Sequence, residues 1–218
     1  MRLTPSIAAP RERPGTLEVY RDDGPLARAL GSVFGRAIPL PPVVLLLAGV
    51  LPFVAVLAIA GDGASRLTVA LVLAWLVLCA GISCGRPHSD PLRWTAPPLL
   101  RLVEYGGVIW FAALAGSSSL PAAFALLAAV AFRHYDLVYR LRYQGVTPPR
   151  WVDDLGGGWE GRLILGYLLW VAGALPTGFF VEAAFLAAVF VGDSIAGWTR
   201  FTRAQAVVVY EDEEEEGH

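Results

Sequence analysis

Residues 132–143, FRHYDLVYRLRY, concentrate the polar chemistry of a chain that is otherwise mostly apolar. On a helix, Arg133, Asp136 and Arg140 fall at i, i+3 and i+7 and share one face. Tyr135, Tyr139 and Arg142 fall on a neighbouring face. Two guanidinium groups on one face can grip a phosphate or pyrophosphate through paired hydrogen bonds. Tyrosine rings beside them can flank a base or a sugar. The alternative is an Arg/Tyr anchor at a helix end in the membrane interface. Asp136 and Arg140 also have the i,i+4 spacing of an ion pair. Glu104 and Asp193 lie in other apolar segments, and Gly192-Asp193-Ser194 leaves Asp193 few local partners. The candidate ligand-binding set is therefore Arg133, His134, Asp136, Tyr139, Arg140, Glu104 and Asp193.

His134, Asp136, Glu104 and Asp193 are the ligand types a hard divalent cation takes. The spacing lacks a D-x-x-D pair within a span or an H-x-x-x-H, so no metal site is expected. No Ser/His/Asp or Cys/His triad can be assembled, and catalytic residues and cofactors stay unassigned. Gly156-Gly157-Gly158-Trp159-Glu160-Gly161-Arg162 can cradle an anion before a helix. Without a P-loop lysine or a preceding strand it is expected to be a flexible linker. Asp23-Gly24 predicts an N-cap and turn, with Pro25 at the first helical position. Leu26, Leu30, Val33 and Phe34 then share one side, so residues 25–38 are expected to form an interfacial amphipathic helix.

The elements that position these groups follow from composition. The 218 residues are 56% hydrophobic and 17% charged, against about 45–50% and about 25% in ordinary globular domains. Mean hydropathy is +0.55. This excludes a disordered chain, a basic nucleic-acid-binding domain and a disulfide-stapled module. It predicts an all-α polytopic membrane bundle. Residues 40–60 and 67–85 are uncharged runs of 21 and 19 residues, long enough to cross, since about 20 residues span the hydrocarbon core. Pro52 sits in mid-span and predicts a kink. Residues 105–132 are 28 without a charge, broken by the turn signal Gly116-Ser117-Ser118-Ser119-Leu120-Pro121. Two full spans need about 40. They fit only if charge is drawn in at both sides: Arg101 and Glu104 on one helix, Arg133, His134 and Asp136 on the other. The last pair, broken at Pro176-Thr177-Gly178, repeats the pattern with Glu160 and Arg162. The expectation is three hairpins and six spans.

Expected boundaries are residues 1–38 for an N-terminal segment, 39–203 for the six-helix domain and 204–218 for an acidic tail. All 17 basic residues are arginine. Six precede residue 40, and the connections at 86–101 and 133–162 carry three and five. By the positive-inside rule both termini face the cytoplasm of a multi-pass cell-membrane protein. No signal peptide is evident at the N-terminus. Trp94, Trp151 and Trp159 are expected at the interface. Cys79 and Cys84 are expected as buried thiols. Because the odd charges fall at one depth on three hairpins, a shared hydrated cavity on the cytoplasmic side is expected.

Two resemblances bear on function. Asp23, Gly24, Ala27 and Arg28 resemble the middle of the D-x-x-D-G-x-x-A-R motif of the CDP-alcohol phosphatidyltransferases. Tyr20 stands where the first aspartate belongs and the downstream acids are missing, so no catalytic role carries over. Through residues 20–31, 133–142, 158–162 and 192–194 the chain resembles an actinobacterial membrane domain of unknown function. That domain is often attached to CDP-alcohol phosphatidyltransferase and nucleotidyltransferase-like regions. The resemblance implies association with phospholipid headgroup or lipid-linked sugar metabolism. The expected function is an auxiliary domain that docks to, or positions lipid- or nucleotide-linked substrate for, a CDP-alcohol phosphatidyltransferase-type enzyme. The alternative is an integral-membrane transferase acting at a cytoplasm-facing pocket. The expected partners are the bilayer and such an enzyme, and no nucleic acid.

Overall fold

The computed structural model describes residues 16–85 and 92–216. Arg2, Arg11, Arg13 and Arg86, and the side chains of the acidic run at 211–216, lie outside the described residues. The described residues hold helices and connections without a strand, the α-helices being α1 (Thr16–Arg21), α2 (Pro25–Phe34), α3 (Pro42–Ala60), α4 (Arg66–Cys84), α5 (Ala96–Ala115), α6 (Leu120–Tyr139), α7 (Arg150–Leu155), α8 (Gly158–Val171) and α9 (Leu175–Glu216). The protein is an all-α polytopic bundle.

Among the described residues, five helices are long and apolar enough to cross a bilayer: Pro42–Ala60, Arg66–Cys84, Ala96–Ala115, Ser117–Gln144 and Leu175–Arg203. The helix in the place of the fifth of six expected spans, α8, has 14 residues. At 1.5 Å per residue it is ~21 Å long, short of a hydrocarbon core of about 30 Å. It is tolerated because its first turns lie inside protein: Trp159, Glu160, Arg162 and Leu163 are almost fully buried. Of the glycines that lead into it, Gly156 and Gly158 are buried and Gly157 is half-buried, and irregular backbone beside a span is tolerated where protein encloses it or it lines a hydrated cavity. α9 runs unbroken from Leu175 to Glu216, well past the last apolar residues of its span.

The hairpin turns at Gly61–Gly63 and Ser117–Ser119 sit together at one end, where Trp110 Nε1 on α5 donates to the Gly61 carbonyl at 2.7 Å. The core is carried by Phe53, Phe111, Leu76, Leu100, Leu126, Leu163, Phe179 and Phe190. Small residues let helices approach where lipid supplies no hydrophobic drive. A Cβ on Gly107 of α5 would lie 2.5 Å from Leu163 Cδ2 of α8, and one on Gly166 of α8 would lie 2.9 Å from Phe111 Cδ2 of α5. α6 packs chiefly on α9, and α3 on α4.

α2 is shorter than the sequence suggested. It ends at Phe34, and Gly35 N–H closes on the Gly31 carbonyl. Gly31 presses on the end of α4, where a Cβ on Gly85 would come within 1.9 Å of Gly31 O. Ala27 and Gly31 form the buried side, and Leu26, Val33 and Phe34 are exposed. The exposed apolar side fits an interfacial helix.

Helix α3 passes through Pro52. Proline has no N–H to give the carbonyl four residues back. That carbonyl belongs to Ala48, and Trp75 Nε1 of α4 donates to it at 2.8 Å. Trp75→Phe should therefore lower stability by about 1–3 kcal/mol, the cost of stranding a desolvated acceptor. Adding Pro52→Ala, which restores the helical donor, should recover most of the loss. Thermal melting of the single and double variants in one detergent tests this. Equal losses with and without Pro52 would refute the pairing.

Candidate functional site

The expected polar residues fall into two hydrogen-bonded networks rather than one. The first is built where the loop after α1 meets the start of α8. Asp22 adopts φ 55°, a left-handed conformation unusual for a residue with a Cβ. Its carbonyl accepts from Trp159 N–H at 3.2 Å. Its carboxylate takes Arg162 Nη2 of α8, His134 Nε2 of α6 at 3.4 Å, and lies 3.8 Å from Arg101 Nη1 of α5. Arg162 Nε reaches Glu104 Oε1, and Arg162 Nη1 donates to the Gly156 carbonyl at 2.8 Å. Arg101 Nη1 completes the ring on Glu104 Oε2 at 2.9 Å. Tyr105 Oη and His134 Nδ1 are 2.9 Å apart. Burial opposes charge on Asp22, yet Arg162, with His134 and Arg101, outweighs it and holds the carboxyl well below the usual carboxylate range.

Ligand atoms of Asp22, Glu104 and His134 lie within 4.8 Å of one another. Their donor types fit a divalent cation, and the two carboxylates are already neutralised by Arg101 and Arg162. An incoming cation would have to displace a guanidinium from each. Asp22 was missing from the sequence-derived set. The signal available for it was its place one residue before the Asp23-Gly24 turn.

The glycine-rich segment expected as a flexible linker is instead a tight packing surface. Gly157 and Gly158 both have positive φ, and a Cβ on Gly158 would lie 2.1 Å from Gly24 N. Conversely, a Cβ on Gly24 would lie 2.2 Å from the Gly157 carbonyl oxygen. Trp159, expected at the interface, is fully buried, and its indole N–H donates to Asp23 Oδ1 at 2.9 Å. Asp23 is not the N-cap of α2. Its carboxylate is spent on Trp159 and Arg21. The cap comes from α8: Glu160 accepts from Gly24 N–H and Ala27 N–H, each at 3.0 Å. A carboxylate from a distant helix thus fills the place a bound anion would take at a helix N-terminus. Arg21 adds a tie to α4, donating to Ala80 O and Ser83 Oγ.

The second network clamps α6 to α9. Asp193 Oδ2 takes Arg140 Nη1 at 2.9 Å and Arg133 Nη1 at 3.4 Å. Arg133 Nη2 continues to Asp153 Oδ1 of α7 at 2.7 Å, and its guanidinium lies over the Phe190 ring. Burial nonetheless pushes the Asp153 carboxyl up, against the pull of Arg133. Arg140 Nε lies 2.9 Å from Asp136 Oδ2, an ion contact outside hydrogen-bond alignment, and Ser194 Oγ donates to Asp136 Oδ1 at 2.7 Å. Gly197 makes room for Arg140, since a Cβ there would lie 2.9 Å from its Cζ. The helix carrying Arg140 passes into a π-helical turn, Arg140–Gln144. Tyr139 is outside both networks: Tyr135, Tyr139 and Tyr143 pack on one another, tilted, along an exposed face of α6 and the π-helical turn that follows it, with ring centroids 4.8 and 5.1 Å apart.

A cavity of about 490 Å³ opens beside the first network, between the residues around α1–α2 and the segment from Thr147 to Asp154. Asp22, Asp23, Asp153 and Asp154 line it with Arg21, Arg28 and Arg150. Arg28 and Asp154 pair across its edge, and Arg28 Nη1 also donates to the Asp23 carbonyl at 2.7 Å. Arg150 is exposed and makes no ion pair among the described residues. Cys84, a free thiol, contributes to the wall. Of the sequence-derived set, none lines this cavity directly; His134 and Arg133 stand behind it, bonded to Asp22 and Asp153, and Glu104 joins Asp22 through Arg162.

Asp193 is the pivot of the second network, so Asp193→Asn should cost more than any other single change there. It removes one of the two carboxylates at Arg140 and one of the two at Arg133, and losses of about 3–5 kcal/mol are typical of breaking a buried pair. Exchanging charges, Asp136→Arg with Arg140→Asp, should not rescue, because an aspartate at 140 would face Asp193. Replacing the pair by Arg140→Met with Asp193→Leu should recover part of the loss. Melting curves in detergent check the order, and an unaltered midpoint for Asp193→Asn would dismiss the clamp.

The chain belongs to a family of unknown function, DUF5941, whose family model matches residues 14–216. Comparison with curated proteins and with solved structures returned no match.

Proposed function

We propose that this is an auxiliary membrane domain whose cavity binds the polar, phosphate-bearing end of a substrate and presents it to a CDP-alcohol phosphatidyltransferase-type enzyme. The observation that carries the binding half is the cavity of about 490 Å³ with Arg28 and Arg150 on its wall. That volume is within the range of small-molecule sites, about 300–1,000 Å³. The acids that metal or general-base chemistry would need are engaged by arginine: Asp22 and Glu104 by Arg162, Asp136 and Asp193 by Arg140. This favours binding over catalysis. The enzyme partner rests on the resemblance of Asp23-Gly24 and Ala27-Arg28 to part of that enzyme motif, and on the domain resemblance through residues 20–31, 133–142, 158–162 and 192–194. Affinity isolation from native membranes should recover CDP-alcohol-dependent phosphatidyl transfer activity in the eluate. An eluate devoid of that activity would overturn the partnership.

The same reading puts the cavity and both termini on the cytoplasmic side of the cell membrane. The arginine-rich connections support it, as does the position of Ser118 in the hairpin turn away from Thr147. In a background without Cys79 and Cys84, Ser118→Cys should react with impermeant maleimide from outside and Thr147→Cys only after the membrane is opened. The reverse pattern would invert the topology.

A further inference from the structure

The cavity wall has two kinds of chemistry and lacks a third. Arg28 and Arg150 supply guanidinium groups, the natural partners of a phosphate. Asp153 and Asp154, with side chains 28% and 51% exposed, each give one oxygen to an arginine, Oδ1 to Arg133 and Oδ1 to Arg28, and supply their remaining carboxylate oxygens within the wall, where Thr147 lies beside them. Ionised carboxylates are strong acceptors for hydroxyl groups. No aromatic residue is among the described residues that line the cavity, and its apolar side chains are those of Val19, Cys84 and Pro148. A nucleobase is ordinarily held by stacking on an aromatic ring or a guanidinium plane. The tyrosines that would serve, Tyr135, Tyr139 and Tyr143, pack on each other on the outer face of α6 and the turn that follows it. The two arginines best placed to substitute are those a phosphate needs. The N-terminus of α2 already holds the Glu160 carboxylate, and α7, which starts in the cavity wall at Arg150, has only six residues, so the ligand's phosphate is left to the guanidinium groups.

Resting on the binding role proposed above, we infer that the cavity takes a phosphorylated polyol, a glycerol or sugar phosphate ester. Its phosphate sits at Arg28 and Arg150 and its hydroxyls at Asp153 and Asp154, and nucleotides are discriminated against. The shared chemistry is found both in a soluble ester and in the headgroup of a lipid such as phosphatidylglycerol.

Isothermal titration of the full chain in phosphatidylcholine nanodiscs tests this with three probes: inorganic phosphate, glycerol 3-phosphate and CMP. Glycerol 3-phosphate should bind at least about tenfold more tightly than inorganic phosphate, as one or two added charge-assisted hydrogen bonds provide. CMP should bind no more tightly than inorganic phosphate. Arg150→Ala should weaken glycerol 3-phosphate about tenfold. Asp154→Ala should erase most of the preference for the polyol ester while leaving inorganic phosphate bound, a split that unfolding does not produce. CMP binding about tenfold more tightly than glycerol 3-phosphate, or equal affinity for phosphate and glycerol 3-phosphate, would overturn the polyol assignment while leaving the binding role standing. Heat from none of the three would overturn the binding role itself. Adding phosphatidylglycerol to the discs separates the sources: competition with glycerol 3-phosphate assigns the site to the lipid headgroup, and undiminished binding assigns it to the soluble ester.

Discussion

Arg162 bonded at once to Asp22, Glu104 and the Gly156 carbonyl is the contact on which the polar end of this bundle depends. It is 2% exposed, and its donors are met from the loop after α1, from α5 and from the connection into α8. A buried guanidinium is tolerable only when so fully paired. That requirement fixes where α1 sits over α5 and α8, and hence the wall of the cavity. The glycines at 24, 157 and 158 are the steric counterpart: the backbones touch, so the arginine can span the gap.

The segments that looked chemical in the sequence turn out to be mutual partners. Residues 20–31 close on residues 158–162, and residues 133–142 close on residues 192–194. Each pair contributes arginines from one side and carboxylates from the other, or a carboxylate to a helix start. Charge at membrane depth is therefore mostly spent on holding helices in register. The groups left facing solvent, Arg28, Arg150 and Asp154, come from the N-terminal helix and the α6–α8 connection rather than from the spans.

The helices were legible from the sequence because length and hydropathy decide spans almost alone. The shortage of apolar residues at 105–132 correctly drew Arg101, Glu104, Arg133 and Asp136 into helices. Their partners were not legible. Arg133, Asp136 and Arg140 share a face, as periodicity says, but periodicity cannot reveal that the face meets Asp193 rather than a phosphate. Nor does a run of glycine distinguish a loose linker from a close backbone contact, because both need the absence of a Cβ. Trp159 was misplaced for a related reason: an amphipathic ring suits an interface and suits equally a buried site with one acceptor, here Asp23. Pro52 and Trp75 show the same limit, since the orphan carbonyl is visible in the sequence and its donor is not.

The separation along the chain between Gly24 and Glu160, and between Asp22 and Arg162, is 136 and 140 residues. A ribosome adding about 5–20 residues per second makes the second partner roughly 7–28 s after the first. Through that interval the start of α2 has no cap, and Glu104 enters the bilayer with Arg101 as its one partner on the same helix. Assembly of the polar end is therefore a late event of biogenesis, and a chain cut before α8 would carry spans that insert but a face that never closes.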